Sequence, residues 1–231
     1  MGQKRSLLQA ISSKFARILE IRGLLTRRRS SKVAASKPPL LSKAKVLKLS
    51  RLDTFTNLIS REEVRSFCLR MIKEQYAIEY NEVWHADLDS LLLPDGLNWF
   101  SAPNKGTFYV ASCTETDRVI AAGGLYNLNF KPSTQSRLQT KYEYTTSVCQ
   151  IVRVYLDASY RRKGIGRQIV AALEADAQEL GYQQCYLHAD AEAQNTLSFW
   201  RSMGYREFGR FSYLSGSRID TCVDFDKQTY A

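Results

Sequence analysis

A short basic segment that contains two glycines is the part of this sequence best suited to bind a charged ligand. Residues 161–166 read Arg-Arg-Lys-Gly-Ile-Gly and precede a stretch with helical periodicity. A helix N-terminus offers unpaired N–H groups and a partial positive charge, and glycine lets a phosphate approach the backbone closely. The segment therefore predicts a diphosphate site. An ordinary turn with solvated basic residues is the alternative, because Gly-x-Gly alone is a weak signal.

Two elements must position this turn. The run 148–156 (VCQIVRVYL) is nearly continuous in apolar residues rather than alternating, which indicates a strand buried on both faces. After the turn, apolar residues recur at helical spacing between Ile169 and Leu180, and Gly181 stands where a helix C-cap is expected. The sequence thus predicts strand, anion-binding turn and helix in succession.

The pattern Arg161-x-x-Gly164-x-Gly166 after a hydrophobic strand resembles the Q/R-x-x-G-x-G/A signature of the GNAT superfamily of N-acetyltransferases. The run 199–205 (FWRSMGY) resembles the second landmark of that family, F-Y-x-x-x-G-F. The resemblance covers residues 46 to 225. It implies an α/β fold with a mixed, mostly antiparallel central sheet of about six to seven strands flanked by helices. Two parallel central strands would separate into a V-shaped split that receives acetyl-CoA as co-substrate.

The resemblance also implies how acetyl-CoA would be held. Backbone groups of the strand end would bind the pantetheine arm, and backbone amides of 162–167 would bind the diphosphate. Asn195 would hydrogen-bond the arm, although its spacing from Trp200 is shorter than the commonest family spacing. The predicted cofactor-binding residues are Val154, Tyr155, Leu156, Arg161, Arg162, Lys163, Gly164, Ile165, Gly166, Arg167 and Asn195.

Two positions depart from the family pattern where proton transfer is concerned. Trp200 stands where many members place a tyrosine general acid, and an indole N–H is too weak an acid to protonate a thiolate. Gln150 stands where many members place a glutamate base. The substitutes suggested by their location are Asp157, Glu143, Tyr144, His188 and Tyr205. The sequence does not choose among them, and catalysis by positioning alone is a further alternative.

The function that these features predict is transfer of an acetyl group from acetyl-CoA to a primary amine, by direct attack in a ternary complex. The acceptor is a protein lysine, a protein N-terminus or a small-molecule amine, and the sequence does not separate these classes. The alternative is a non-catalytic acyl-CoA-binding or regulatory module that has lost the acid and base of the family.

The net charge of +10 is concentrated at one end of the chain. Residues 1–48 contain thirteen Lys and Arg against one acidic residue, whereas the remainder is slightly acidic. This distribution argues against a nucleic-acid-binding domain. We expect a basic tail at 1–45 and one acetyltransferase-like domain at 46–231. The tail is consistent with a helix packed on its own domain, an amphipathic helix on an anionic membrane surface, or an organelle-targeting segment. A disordered or weakly helical appendage is the fourth alternative.

The five cysteines are widely spaced without a C-x-x-C pattern, and the chain has two histidines. This composition predicts buried reduced thiols, a cytoplasmic location and no metal site. No apolar run approaches membrane-spanning length. Either a monomer or a homodimer is compatible with the sequence.

The remaining pattern predicts the other elements. Ser60 and Glu63 form a capping-box signature at the start of a helix. A second helix is predicted at 80–92, with acidic residues nearby that form a solvated face or attract a cationic amine (Glu79, Glu82, Asp87 and Asp89). Further strands are predicted at 45–49, 106–113, 118–128, 183–189, 205–214 and 219–225, and a further helix at 194–203. Residues 129–146 are predicted as a long polar loop that either is mobile or shapes an acceptor site.

Overall fold

The computed structural model describes residues 47–52, 59–215 and 218–229, so the predicted basic tail lies outside the described residues. The strands are β1 (Leu47–Arg51), β2 (Thr107–Cys113), β3 (Val119–Asn127), β4 (Val148–Leu156), β5 (Gln184–Asp190), β6 (Arg206–Ser215) and β7 (Arg218–Gln228). The helices are α1 (Arg61–Tyr76), α2 (Ala86–Ser90), α3 (Pro132–Leu138), α4 (Ile165–Glu179) and α5 (Gln194–Ser202). No helix in these described ranges is long and apolar enough to span a bilayer.

The strands form one seven-stranded sheet in the order β1-β2-β3-β4-β5-β7-β6. The pair β4–β5 is parallel, and the other neighbouring pairs are antiparallel. The helix α4 lies on the crossover between the two parallel strands, which cannot be joined by a tight turn. The predicted mixed, mostly antiparallel sheet is confirmed.

Each face of the sheet carries its own hydrophobic core. On the first face, called here the α1 face, Phe67 of α1 packs with Phe108 and Tyr126. On the opposite face, called the α4 face, Leu173 of α4 and Trp200 of α5 pack with the strands. The five cysteines are buried free thiols.

The parallel strands separate early. Pairing between β4 and β5 joins Val148 to Gln184, Cys149 to Cys185 and Gln150 to Tyr186, and then stops. Both strands continue beyond this point without pairing to each other. β3 pairs with β4 on its other side, and β7 pairs with the whole of β5. The predicted V-shaped split is therefore present.

A β-bulge lies on the diverging arm of β4. Arg153 has φ +57°, and the register with β3 shifts between Ala122 and Gly124. The extra residue changes the alternation of side chains, so Val152 and Arg153 both reach groups of the α1 face. Beyond the bulge, alternation resumes with Val154 on the α4 face.

The bulged arginine forms a buried ion pair with Asp87 of α2. Arg153 donates from Nε and Nη2 to the two carboxylate oxygens of Asp87 at 2.8 and 2.7 Å. Arg153 also donates to the carbonyl oxygen of Trp84 at 2.9 Å. Burial would raise the pKa of the fully buried Asp87 carboxyl, but the Arg153 guanidinium holds that pKa below its usual range. The prediction of a solvated position was wrong for Asp87, because its charge neutralises Arg153.

The helix predicted at 80–92 is much shorter in the structure. Oδ1 of Asn81 accepts the N–H groups of Val83 and Trp84, both at 3.0 Å. The N–H of Asn81 in turn donates to Nδ1 of His85 at 2.9 Å. These local side-chain bonds satisfy the backbone without a helix, so regular helical structure begins only at Ala86.

The segment predicted as a loop at 129–146 contains the helix α3. Pro132 opens the helix, and Leu138 at its end is buried against Leu128, Val148 and Tyr186. The sequence did not predict this helix because Leu138 is its single buried residue, so the segment has no apolar residues at helical spacing.

The start of α1, in contrast, was predicted correctly. Oγ of Ser60 accepts the N–H of Glu63 at 3.1 Å, and Oε2 of Glu63 accepts the N–H of Ser60 at 2.8 Å. Both bonds of the capping box are therefore present, and the helix begins at Arg61.

The buried ion pair predicts unequal effects for two neighbouring aspartates. Asp87→Asn leaves the buried Arg153 guanidinium uncompensated and should lower the free energy of unfolding by about 3–5 kcal/mol. Asp89→Asn disrupts a more exposed pair with Arg65 and should cost at most about 1 kcal/mol. Urea unfolding of both variants measures the difference. Equal, small losses would show that the Asp87 pair does not stabilise this region.

Candidate active site

A cavity of about 560 Å³ opens where β4 and β5 diverge. Its wall includes Val154, Leu187 and Trp200, which belong to the α4 face. It also includes Val152 and Tyr155 from the α1 face. The cavity therefore reaches both faces of the sheet, so two ligands are able to meet between the strands.

The turn after β4 presents backbone donors. Gly164 has φ +81° and is the N-cap of α4. The helix begins at Ile165, before the first residue of the apolar pattern from which it was predicted. Within the described ranges, the N–H groups of 162–167 have no hydrogen-bond acceptor. The basic side chains of 161–163 are exposed beside them. This series of unpaired donors next to three cations forms a surface suited to a diphosphate.

The divergence also leaves one edge of β4 unpaired. Because pairing to β5 ends at Gln150, the backbone groups of 151–156 on that side have no strand partner within the described sheet. Val154 and Tyr155 lie on this arm and line the cavity, whereas Leu156 packs in the core of the α4 face. An extended arm that contains amide groups is able to hydrogen-bond along such an edge, as an added strand would.

One predicted catalytic candidate, His188, lies in the cavity wall on β5. Its Nδ1 lies 3.1 Å from the hydroxyl of Tyr186. That hydroxyl lies 2.7 Å from Oδ1 of Asp224 and 2.6 Å from Nη2 of Arg137. Arg137 also donates to both carboxylate oxygens of Asp224, at 2.6 and 2.9 Å. These four residues are called here the His188 network.

The network assigns the tautomer of His188. The hydroxyl of Tyr186 has one proton, which must go to the carboxylate of Asp224, since that oxygen can only accept. The guanidinium of Arg137 can only donate, so it occupies one lone pair of the hydroxyl. Nδ1 of His188 must therefore donate to the second lone pair. The proton of neutral His188 lies on Nδ1, which leaves the lone pair of Nε2 free at the cavity.

The surroundings of His188 favour the neutral ring. Burial, with smaller contributions from Arg137, Arg153 and Lys131, lowers the pKa of His188 to about 4, while Asp224 opposes this shift. The side chain of His188 is exposed and lines the cavity, so burial acts on it less fully than on a core group. The direction agrees with the three nearby cations. At neutral pH the ring is therefore uncharged, and Nε2 is an acceptor.

The other four catalytic candidates lie elsewhere in the structure. Glu143 and Tyr144 are exposed on the segment after α3. Asp157 accepts the N–H of Ser159 at 3.0 Å and so caps the turn. Tyr205 is buried in the core of the α4 face. The described cavity wall includes His188 but none of these four.

Three further positions from the sequence analysis can be placed. Trp200 and Gln150 both line the cavity. Asn195 is exposed at the start of α5, and the next residue, Thr196, is the one that lines the cavity. No group of three His, Cys, Asp or Glu side chains within the described ranges is placed to hold a metal ion.

Sequence reasoning missed Arg137 and Asp224 as neighbours of the site. They are separated by 87 residues, and neither belongs to a local motif. The available signal was the carboxylate of Asp224 within the strand predicted at 219–225, and the structure shows that this position is buried. That signal indicates a buried partner but does not identify it.

The diphosphate surface predicts that a negative side chain at Gly166 weakens CoA binding. A Cβ at Gly166 would lie 3.6 Å from the Phe199 ring, an ordinary contact, so Gly166→Glu should fold. Its charge should weaken CoA binding at least about tenfold in calorimetry. Gln168→Glu adds the same charge at an exposed position nearby and is the control. Unchanged affinity in folded Gly166→Glu would refute the assignment.

The hydrogen bonds predict opposite tautomers for the two histidines of the chain. Nδ1 of His85 accepts the N–H of Asn81, so its proton lies on Nε2, whereas His188 carries its proton on Nδ1. Long-range proton–nitrogen NMR at pH 7 distinguishes the two forms, and His188→Gln assigns the signals. Because its pKa is lowered, His188 should be neutral at pH 7, where this tautomer is measured. A proton on Nε2 of His188 at pH 7 would contradict the network.

Comparison with known families and structures agrees with this geometry. The model of the acetyltransferase (GNAT) family matches residues 69–205, more than half of the chain. A curated relative, "Probable N-acetyltransferase 14" from Danio rerio, is 30% identical over 80 residues. That match covers 35% of this chain and 29% of the relative, so the chain matches less than a third of the relative's length.

Solved structures share the fold at low sequence identity. An acetyltransferase of the GNAT family from Staphylococcus aureus Mu50 has a TM-score of 0.58 and 16% identity, covering 80% of this chain and 99% of that chain. NAA60 from Arabidopsis thaliana in complex with acetyl-CoA has a TM-score of 0.57 and 13% identity, covering 79% of this chain and 98% of that chain. With the family match over residues 69–205, these findings show that the chain belongs to the acetyltransferase (GNAT) family.

Proposed function

We propose that this protein transfers an acetyl group from acetyl-CoA to a primary amine by direct attack within a ternary complex. The observation that carries the proposal is the cavity between β4 and β5, which reaches both faces of the sheet and has the free Nε2 of His188 at its wall. One substrate would enter from each face. Family membership and the NAA60 complex with acetyl-CoA support the choice of acyl donor.

The residues present fit acetyl-CoA as the acyl donor. The unpaired N–H groups of 162–167 and the basic side chains of 161–163 would hold the diphosphate. The unpaired edge of β4 at Val154 and Tyr155 would hold the pantetheine arm. This arrangement would direct the thioester into the split, where His188 lines the cavity.

In this mechanism His188 receives the amine proton. As the new N–C bond forms, the C–S bond breaks with its electron pair on sulfur, and the nitrogen loses one proton. Nε2 of His188 accepts that proton, and the bond from Nδ1 to Tyr186 keeps the ring in the accepting orientation. The neighbouring cations disfavour an ammonium, so they favour the neutral amine that the attack requires.

The thiolate would be protonated by solvent. The indole of Trp200 is not an acid of useful strength, and burial raises the pKa of the cavity-lining Tyr213 to about 12. Solvent reaches the cavity at the His188 ring, which supplies a proton source without a dedicated residue. The alternative, a non-catalytic acyl-CoA-binding module, differs from the proposed enzyme in one observable property, because it would bind CoA without releasing thiol from acetyl-CoA.

The proposal predicts thiol release from acetyl-CoA in the presence of a suitable amine. We expect turnover with at least one pool among polyamines, amino acids, aminoglycosides and peptides with a free lysine or N-terminus. His188→Gln should lower kcat about 100-fold without weakening CoA binding, because the base is lost while the donor site is intact. A faster Trp200→Tyr variant would show that thiolate protonation limits the rate. Tight CoA binding without turnover on any pool would favour the binding module instead.

A further inference from the structure

The charged side chains that line the cavity are mostly paired. Those in the described wall are Asp87, Lys131, Arg137, Arg153, Asp190, Arg218 and Asp220. Arg153 pairs with Asp87, Arg137 with Asp224 behind the wall, and Arg218 with Asp220. Within the described part of the chain, Lys131 and Asp190 form no salt bridge, although Asp87 lies within electrostatic range of Lys131 and Arg218 within that of Asp190. One positive and one negative charge are therefore available to a ligand.

Lys131 is held at the wall by backbone carbonyl groups and forms no salt bridge with a described residue. Its Nζ lies 3.3 Å from the carbonyl oxygen of Val83 and 3.4 Å from that of Trp84, and 5.5 Å from the centre of the Trp99 ring. The side chain is half-buried, and burial lowers the pKa of Lys131 although Asp87 opposes the shift. An ammonium has three donors, and the two carbonyls account for two of them. The third donor remains free for a ligand.

Two residues that closely follow Lys131 in the sequence carry hydroxyl groups. Ser133 and Thr134, on the first turn of α3, also line the cavity. Among the residues that the structure describes, neither hydroxyl has a hydrogen-bond partner. The loop and helix that follow β3 thus contribute one cation and two hydroxyl donors to the same cavity. Such a set of donors is suited to an anion.

Asp190 supplies the opposite charge on β5. It lies two residues after His188, so the two side chains are on the same face of the strand. Its Oδ1 accepts the N–H of Glu192 at 2.9 Å, which leaves the second oxygen available. A carboxylate beside the proposed base is placed to accept a hydrogen bond from the N–H of an acceptor amine and so to orient that amine towards the base.

We infer that the acceptor is a small zwitterion, a primary amine that also carries a carboxylate, with Lys131 as the residue that selects it. The carboxylate would bind at Lys131, Ser133 and Thr134, while the amine lies towards Asp190 and His188. A single unpaired ammonium matches the single charge of a carboxylate better than the nearly double charge of a phosphate monoester. The inference rests on the proposed acetyl transfer and narrows its acceptor to the amino-acid class.

Matched pairs of acceptors test this selectivity directly. L-Tyrosine and tyramine differ only by the carboxylate, as do L-lysine and cadaverine, and L-methionine and 3-(methylsulfanyl)propylamine. We expect kcat/KM to favour the amino acid of at least one pair by about tenfold to a hundredfold, mainly through KM, as a hydrogen bond to a charged group implies. Equal use of both members of every pair, or preference for the decarboxylated amines, would overturn the inference.

Variants at Lys131 identify the cause of the preference. Lys131→Met keeps much of the length of the side chain but removes its charge, so the ratio within each pair should fall to about one. Lys131→Arg should retain part of the ratio. Lys73→Met removes an exposed lysine of α1 and is the control that should keep the wild-type ratio. A ratio that survives in folded Lys131→Met would assign the selectivity elsewhere.

Calorimetry with CoA-loaded protein separates this inference from the proposed function. If no amine turns over, acetyl transfer is refuted, and binding of the same pairs still decides the role of Lys131. Amino-acid binding that is about tenfold tighter than that of its amine, and that Lys131→Met abolishes, would support the zwitterion site. Equal affinities within each pair, or no binding of any amino acid, would refute it.

Discussion

The early end of the β4–β5 ladder is the constraint on which the rest of the structure depends. Hydrogen bonding stops at Gln150 and Tyr186, although both strands continue. A complete ladder would close the sheet and leave no room for a cavity, because neighbouring strands lie only about 4.8 Å apart. β5 is fully paired to β7 on its other side, so the separation is accommodated by β4, whose bulge at Arg153 bends the diverging arm.

The bulge and the buried ion pair depend on each other. A non-glycine residue in the left-handed region costs about 1–2 kcal/mol, and Arg153 adopts that conformation within a strand. This conformation positions the Arg153 guanidinium, which the fully buried Asp87 carboxylate and the Trp84 carbonyl bind. The same contacts fix the segment before α2, which contributes part of the cavity wall. The shape of the cavity on the α1 face is therefore coupled to the strand geometry that opens it.

The sequence predicted the framework better than the site because the two depend on contacts of different range. β4 has the predicted bounds, and Ser60 with Glu63 marks the start of α1. The predicted burial of β4 is correct only for residues 148–151, because the residues after them lie on the diverging arm and are half-buried. α3 was missed, because only Leu138 anchors a polar segment. The His188 network joins α3, β5 and β7 through partners up to 87 residues apart, and no local pattern encodes such contacts.

The geometry of the cavity affects how Trp200 and Gln150, the two departures from the family pattern, bear on catalysis. Trp200 and Gln150, read alone, suggest a site that has lost its acid and base. Because the strands diverge, however, residues of β5 contact the same cavity as residues of β4. A base on either strand is then able to reach a substrate in the split, and His188 has both the free nitrogen and the fixed orientation that such a base needs. Glutamine at position 150 therefore does not by itself argue against the proposed acetyl transfer, since β5 presents a second position from which a base would reach the cavity.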